Sequence, residues 1–352
     1  MKRALHKICS ILLIILLWAG IFAVFYFARR VDRAEIFHCL LGILISFIAG
    51  PVIHETGHLL FSKIMDMDCI YIKMFCFQMH KTNGQKKLSF ASPFADDMVQ
   101  VIPKKGGDMK KRASWYTLGG LLVSAIFLLI ILSAAILASV FTKDSYFLWG
   151  LVPYTAYLFL LNVLPLYYEA GKTDMLVYMG ICKGAPTELN LLSAMEIQGR
   201  LYAGESFAMI DKALYFDPPQ LCEDEPLFSV MLDLKYRYYL ELSKTEEAAD
   251  CLNRLALSQA YLSGAEVATV AAELVYMHAI TGDFEKAEEN GKYCKDYLQQ
   301  ETATALRILA AYAKASGKEE EAQLLKEKAE RALEKEPILG VRAFEKALLS
   351  RI

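Results

Sequence analysis

Four apolar stretches, each long enough to cross a hydrocarbon core of about 30 Å, fill the first half of this chain. They run from Ile11 to Phe27, from Ile36 to roughly Phe61, from Leu118 to Phe141 and from Tyr146 to Leu166. A backbone in lipid must satisfy its own hydrogen bonds, so separate segments of this length are expected as helices. The expected fold class is therefore mainly α, a polytopic membrane protein with four transmembrane helices. Apolar residues make up 55% of the chain but crowd into this half, whereas roughly the last 165 residues are rich in Glu, Lys and Ala. The first stretch follows Lys2, Arg3 and Lys7 and ends in Phe22, Phe25, Tyr26 and Phe27, a poor cleavage site, so a retained signal anchor is expected.

Basic residues set the expected orientation. Between the second and third stretches lie Lys63, Lys73, Lys81, Lys86, Lys87, Lys104, Lys105, Lys110, Lys111 and Arg112, against only Lys143 between the third and fourth. The positive-inside rule then places the long loop and both termini in the cytoplasm, most readily of a bacterial cell membrane. Arg29, Arg30 and Arg33 would lie outside, against the rule, and are outvoted. A net charge of −2 gives no basic face for nucleic acid. The eight cysteines show no Cys-x-x-Cys and no framework spacing, and read as reduced thiols.

At the far end of the second stretch stands His54-Glu55-Thr56-Gly57-His58. On a helix the two imidazoles lie on one face, where both can ligate Zn²⁺, with Glu55 placed to take a proton from the attacking water. The competing reading is a pair of histidines that merely hydrogen-bond to neighbours. Position argues against it, because ionisable groups at the end of a bilayer-length segment are costly unless used. A catalytic zinc needs a third protein ligand and an open fourth position. The segment Asn162-Val-Leu-Pro165-Leu-Tyr-Tyr-Glu169-Ala-Gly171-Lys-Thr173-Asp174 offers two carboxylates, Asp174 and Glu169. Gly171 can supply a turn, Thr173 a helix cap, and Asp174 would open the apolar stretch Met175 to Ile181. Asn162 lies about 24 Å along its span and His54 about 27 Å along its own in the same direction, so the two sites reach one level.

With both motifs in order, residues from about 36 to 180 resemble the site-2 proteases, a family of intramembrane zinc metalloproteases. The resemblance rests on His54, Glu55, His58, Asn162, Pro165 and Asp174, and on Gly119-Gly120 opening the third stretch. It implies that Asp174 is the third zinc ligand, Glu55 the catalytic base and Asn162 a residue that orients the substrate carbonyl. Three departures are visible. The spacer between Pro165 and Asp174 is long, Met175 follows Asp174 where glycine is usual, and Ser124 stands where asparagine is frequent. Glu169 stays as the second candidate for the third ligand. Ser124 reads as a small residue for close helix packing.

Within the basic loop, Ile70, Ile72, Met74, Cys76 and Gln78 alternate with Tyr71, Lys73, Phe75 and Phe77. Asn83-Gly84 then offers a turn, and Leu88 to Phe90 runs back, which predicts a cytoplasmic β-hairpin. Such an edge could pair with an unwound substrate or only shield the metal. After Gly184-Ala-Pro186, Gly204-Glu-Ser-Phe-Ala208, Ser243-Lys-Thr-Glu-Glu-Ala248, Gly282-Asp-Phe-Glu-Lys-Ala287 and Gly317-Lys-Glu-Glu-Glu-Ala322 recur at intervals of 39, 39 and 35 residues. A period near 34 reads as helix-turn-helix repeats of tetratricopeptide type, with a plain helical bundle as the alternative.

The expected organisation is an N-terminal anchor over 1–33, a membrane-embedded metalloprotease core over 34–183 and a cytoplasmic helical-repeat domain over 184–352. The expected partners are a membrane-protein or peptide substrate, the lipid bilayer and a cytoplasmic protein bound through the repeats. The alternative is a catalytically idle membrane adaptor that acts through the repeats.

Overall fold

The computed structural model describes residues 2–30, 32–82, 85–93, 97–104, 106–141, 146–168, 171–258 and 262–352. The chain divides into two compact units, Met1–Glu188 and Leu189–Ile352. The division falls inside one helix, a few residues beyond the change of composition at Gly184-Ala-Pro186.

Among the described residues of the first unit four helices, α1 (Lys2–Ala28), α2 (Arg33–Ile64), α3 (Met109–Phe141) and α4 (Tyr146–Val163), are long and apolar enough to cross a membrane. Helix α3 begins at Met109, ahead of the expected start, because Lys110, Lys111 and Arg112 form its first turn before the apolar run. Helix α4 stops at Val163, ahead of Pro165, whose ring disfavours helical geometry in the residue before it. Helix α2 is the hub and packs along both α3 and α4, while α1 lies on α4.

Glycines let these backbones approach. A Cβ on Gly150 would press on the Cys39 carbonyl, and a Cβ on Gly57 would meet the Gly119 carbonyl. Without a hydrophobic drive between helices in lipid, such close contacts are a main source of association.

The basic loop is a four-stranded antiparallel sheet in the order β3-β2-β1-β4, with β1 Met67–Met74, β2 Phe77–Thr82, β3 Gln85–Phe90 and β4 Met98–Pro103. This corrects the single expected hairpin. The alternating run breaks at Phe75, whose φ of 51° reverses the chain, and β1 and β2 pair through Met74 and Phe77. Asp97 stabilises the reversal: its Oδ1 accepts from the Phe75 amide at 2.7 Å and from Lys73 Nζ at 2.9 Å. The expected Asn83-Gly84 turn lies outside the described residues; β2 and β3 pair on either side of it, from Phe77–Phe90 to Thr82–Gln85.

After α4 come two short strands, β5 (Tyr167–Tyr168) and β6 (Gly171–Lys172), then α5 (Asp174–Lys183) and α6 (Pro186–Tyr202). Gly171 has φ +142°, a conformation that side-chain-bearing residues rarely adopt.

The second unit is helical. Three helical pairs dominate it: α8 (Pro226–Glu241) with α9 (Thr245–Leu257), α10 (Gly264–Thr281) with α11 (Phe284–Tyr293), and α13 (Ala303–Ala315) with α14 (Glu319–Leu333). The three intrapair turns fall at Ser243, Gly282 and Gly317, all left-handed with φ of 58°, 79° and 77°. In α9, Ala248, Cys251, Leu252 and Leu255 are buried, one apolar stripe at helical spacing. Gly204 is different. It too has positive φ, but the chain beyond it is irregular as far as the four-residue helix α7 (Ala213–Phe216), so the first sequence repeat builds no helical pair. Helix α12 (Lys295–Leu298) bridges α11 and α13, and α15 (Leu339–Leu349) closes the chain.

Candidate metal centre

His54 and His58 lie one helical turn apart on α2 and are both buried. Their Nε2 atoms are 3.2 Å apart. Asp174, the first residue of α5, brings Oδ2 to 3.1 Å from His54 Nε2 and 3.3 Å from His58 Nε2. These three atoms form a nearly equilateral triangle. Tetrahedral zinc, with bonds of about 2.0–2.1 Å, needs ligand atoms about 3.3 Å apart, so the donor set fits such an ion in both chemistry and spacing. Asp174 Oδ2 is also buried, with both imidazole nitrogens converging on it. The three residues thus form a group that could hold a metal ion.

The outer ring nitrogens are held from α3. His58 Nδ1 donates to the Tyr116 carbonyl at 2.9 Å, and the Tyr116 ring packs on the imidazole with centroids 5.0 Å apart. With the proton on Nδ1, the Nε2 lone pair faces the centre, the tautomer a metal ligand needs. Tyr116 in turn donates its hydroxyl to the Val99 carbonyl at 2.6 Å, linking β4 to the site. His54 Nδ1 lies 3.1 Å from Ser124 Oγ. Gly120 leaves room for the rings, since a Cβ there would come within 2.5 Å of His58 Nε2 and 2.7 Å of His54 Cε1.

Ser124 was therefore missed as a site residue. Its placement beside Gly120, one helical turn on, was the signal available, but a small residue in an apolar helix reads first as packing. Ser124→Ala is expected to weaken metal binding by roughly tenfold, as loss of a partner behind a ligating histidine generally does. Competition with a chelator measures it, and unchanged affinity would show that the Ser124 contact is incidental.

Asp174 is delivered by an anchored loop. Thr173 is the N-cap of α5, its carbonyl accepting from the Val177 amide at 3.0 Å, but its hydroxyl makes no cap bond. It donates to the Leu164 carbonyl at 2.7 Å and accepts from the Leu166 amide at 3.0 Å. The Thr173 amide also donates to the Leu166 carbonyl at 3.0 Å. These bonds tie the end of α4 to the start of α5 on either side of β5 and β6, which is how the long spacer is accommodated. Burial opposes ionisation of Asp174, but the adjacent imidazoles of His54 and His58 outweigh it and hold the carboxyl below its usual range.

Glu55 is half-buried beside the triangle and interacts electrostatically with His58, His54 and Asp174. Asn162, in the last turn of α4, donates Nδ2 to the Leu158 carbonyl at 3.2 Å. Glu169, the other candidate ligand, lies outside the described residues. No family model, curated protein or solved structure matches the chain, so its function is argued from its own residues.

Proposed function

We propose that this protein is an intramembrane zinc metalloprotease of site-2 type, with a helical-repeat domain that selects a substrate or partner. The observation that carries the reading is the triangle of His54 Nε2, His58 Nε2 and Asp174 Oδ2, beside a carboxylate, on a helix of bilayer length. Zn²⁺ bound by these three residues would act as a Lewis acid on water and on the scissile carbonyl. Glu55 accepts the proton of the attacking water and returns it to the leaving amine, the two halves of general acid–base catalysis. Asn162 orients the peptide carbonyl through the side-chain atoms not bonded to Leu158. The sheet is cytoplasmic, by the charge of its loop, and both termini lie on the same side. The substrate is a transmembrane segment or signal-peptide remnant, cut near the cytoplasmic face.

Strand β4 lies at one edge of the sheet, tied to the site through Tyr116, and can offer main-chain pairing to a substrate that must unwind before attack. In the second unit a cavity of about 450 Å³, lined by Phe216, Phe228, Met231, Lys235 and Tyr239 among others, gives the repeats a place to hold a peptide or protein partner. That cavity is also what favours the second reading, an idle adaptor working through its repeats.

Cleavage of a membrane-segment peptide by the purified protein in detergent should stop with a chelator and return with Zn²⁺. A protein that holds zinc, cuts no such peptide and still retains a partner through its second unit would favour the adaptor. Ligand identity has its own test, because Asp174→Ala should lower zinc occupancy far more than Glu169→Ala. The reverse ranking would show that the register of the Asn162 to Asp174 segment is wrong.

A further inference from the structure

Two of the three donors are fixed by helix α2, but the third depends on a loop. Asp174 follows β6, and the Thr173 hydroxyl ties this segment back to Leu164 and Leu166 at the end of α4. A further fastening is Lys172, whose Nζ lies 2.5 Å from Glu188 Oε1. The Glu188 side chain is only 4% exposed and that of Lys172 is 21% exposed. Glu188 belongs to the first turn of α6, where a carboxylate is favoured by the helix N-terminus. It is turned back onto α5 by the left-handed cap at Gly184 and by Pro186, which opens α6. There it lies against Gly180, where an added Cβ would come within 2.5 Å of Glu188 Cδ. Glu188 therefore grips the Asp174 segment on both sides: Lys172 ahead of the ligand and Gly180 further along the same helix.

A buried carboxylate with an ammonium partner contributes little net stability, because desolvation offsets the attraction, but it fixes geometry directionally. We propose that Glu188 is a positioning residue for the third metal ligand, holding Asp174 in register through Lys172. The inference rests on the metal-centre reading above.

The test uses the full chain in detergent. Zinc affinity is measured by chelator competition for the wild type, Glu188→Gln, Lys172→Met and the exchange Lys172→Glu with Glu188→Lys, with Asp174→Ala as the reference for ligand loss. Melting of the zinc-free proteins reports folding separately. Glu188→Gln and Lys172→Met should each weaken zinc by about tenfold or more, as losses behind a first ligand shell do. The exchange should recover most of that affinity, which a merely structural role for either residue would not produce. Should Glu188→Gln fail to fold, Lys172→Met alters the more exposed partner and reads the same contact. Wild-type affinity in both single variants, or an exchange no better than the singles, overturns the inference while leaving the metal centre intact. A wild type that binds no zinc overturns both.

Discussion

Glu55→Gln should lose all detectable cleavage while keeping near-stoichiometric zinc. The carboxamide preserves size and leaves His54, His58 and Asp174 untouched, but it cannot accept the proton of the attacking water. Loss of a general base of this kind costs about 10²–10⁴ in rate, enough to turn the protein into a trap for its substrate. Mass spectrometry of peptides that co-purify with this variant would identify the substrate. By contrast, His54→Ala and His58→Ala remove a donor each and should lose zinc and cleavage together. Wild-type turnover by Glu55→Gln would end the metalloprotease mechanism, whatever the metal content.

The second large effect concerns stability. Arg307 is fully buried in the second unit, where Nη2 donates to Glu273 Oε1 at 2.7 Å and Nε to Glu345 Oε2 at 2.6 Å. Tyr236 donates its hydroxyl to Glu273 Oε2 at 2.8 Å, and the guanidinium lies over the Tyr276 ring. Removing one partner of a buried ionic network leaves charges without compensation, at a cost of about 3–5 kcal/mol. Arg307→Ala should therefore melt the second unit at a much lower temperature.

The acid response gives an independent check. Burial raises the Glu273 carboxyl, but Arg307 and Arg237 outweigh it and hold it below its usual value. A depressed folded pKa stabilises above the unfolded value of about 4.3, and that stability is lost as pH falls through the folded value. Without Arg307, burial dominates and the sign reverses, so the variant should melt closer to the wild type at pH 5 than at pH 7. Circular dichroism at the two pH values measures this. A gap that does not narrow would show that Glu273 is not held ionised by Arg307.

Much of this architecture is legible in the sequence because the bilayer and the helix impose simple periods. The apolar stretches mark the four long helices, and Ser243, Gly282 and Gly317 mark left-handed turns because a reversal between helices needs them there. The failures share a cause. Phe75 turns the chain without glycine or asparagine, stabilised by Asp97 at the start of the neighbouring strand β4, so no local signal announces it. Thr173 stands at the cap of α5 as expected, but its hydroxyl binds Leu164 and Leu166 rather than the helix. Gly204 carries the repeat signature without the helical pair that should follow. Arg307 and Glu273 stand in helices whose composition gives no sign that these charges are internal. In each case the deciding partner is distant in sequence, and one chain read alone does not supply it.

The central claim is that His54, His58 and Asp174 together hold zinc. Zinc-edge X-ray absorption of the purified full-length protein, with metal content measured on the same sample, tests it most directly. About one zinc per chain is expected, with nitrogen and oxygen neighbours at about 2.0–2.2 Å and an imidazole signature that weakens in His58→Ala. A protein purified without chelator that carries no zinc, or zinc with sulfur neighbours at about 2.3 Å, would contradict it.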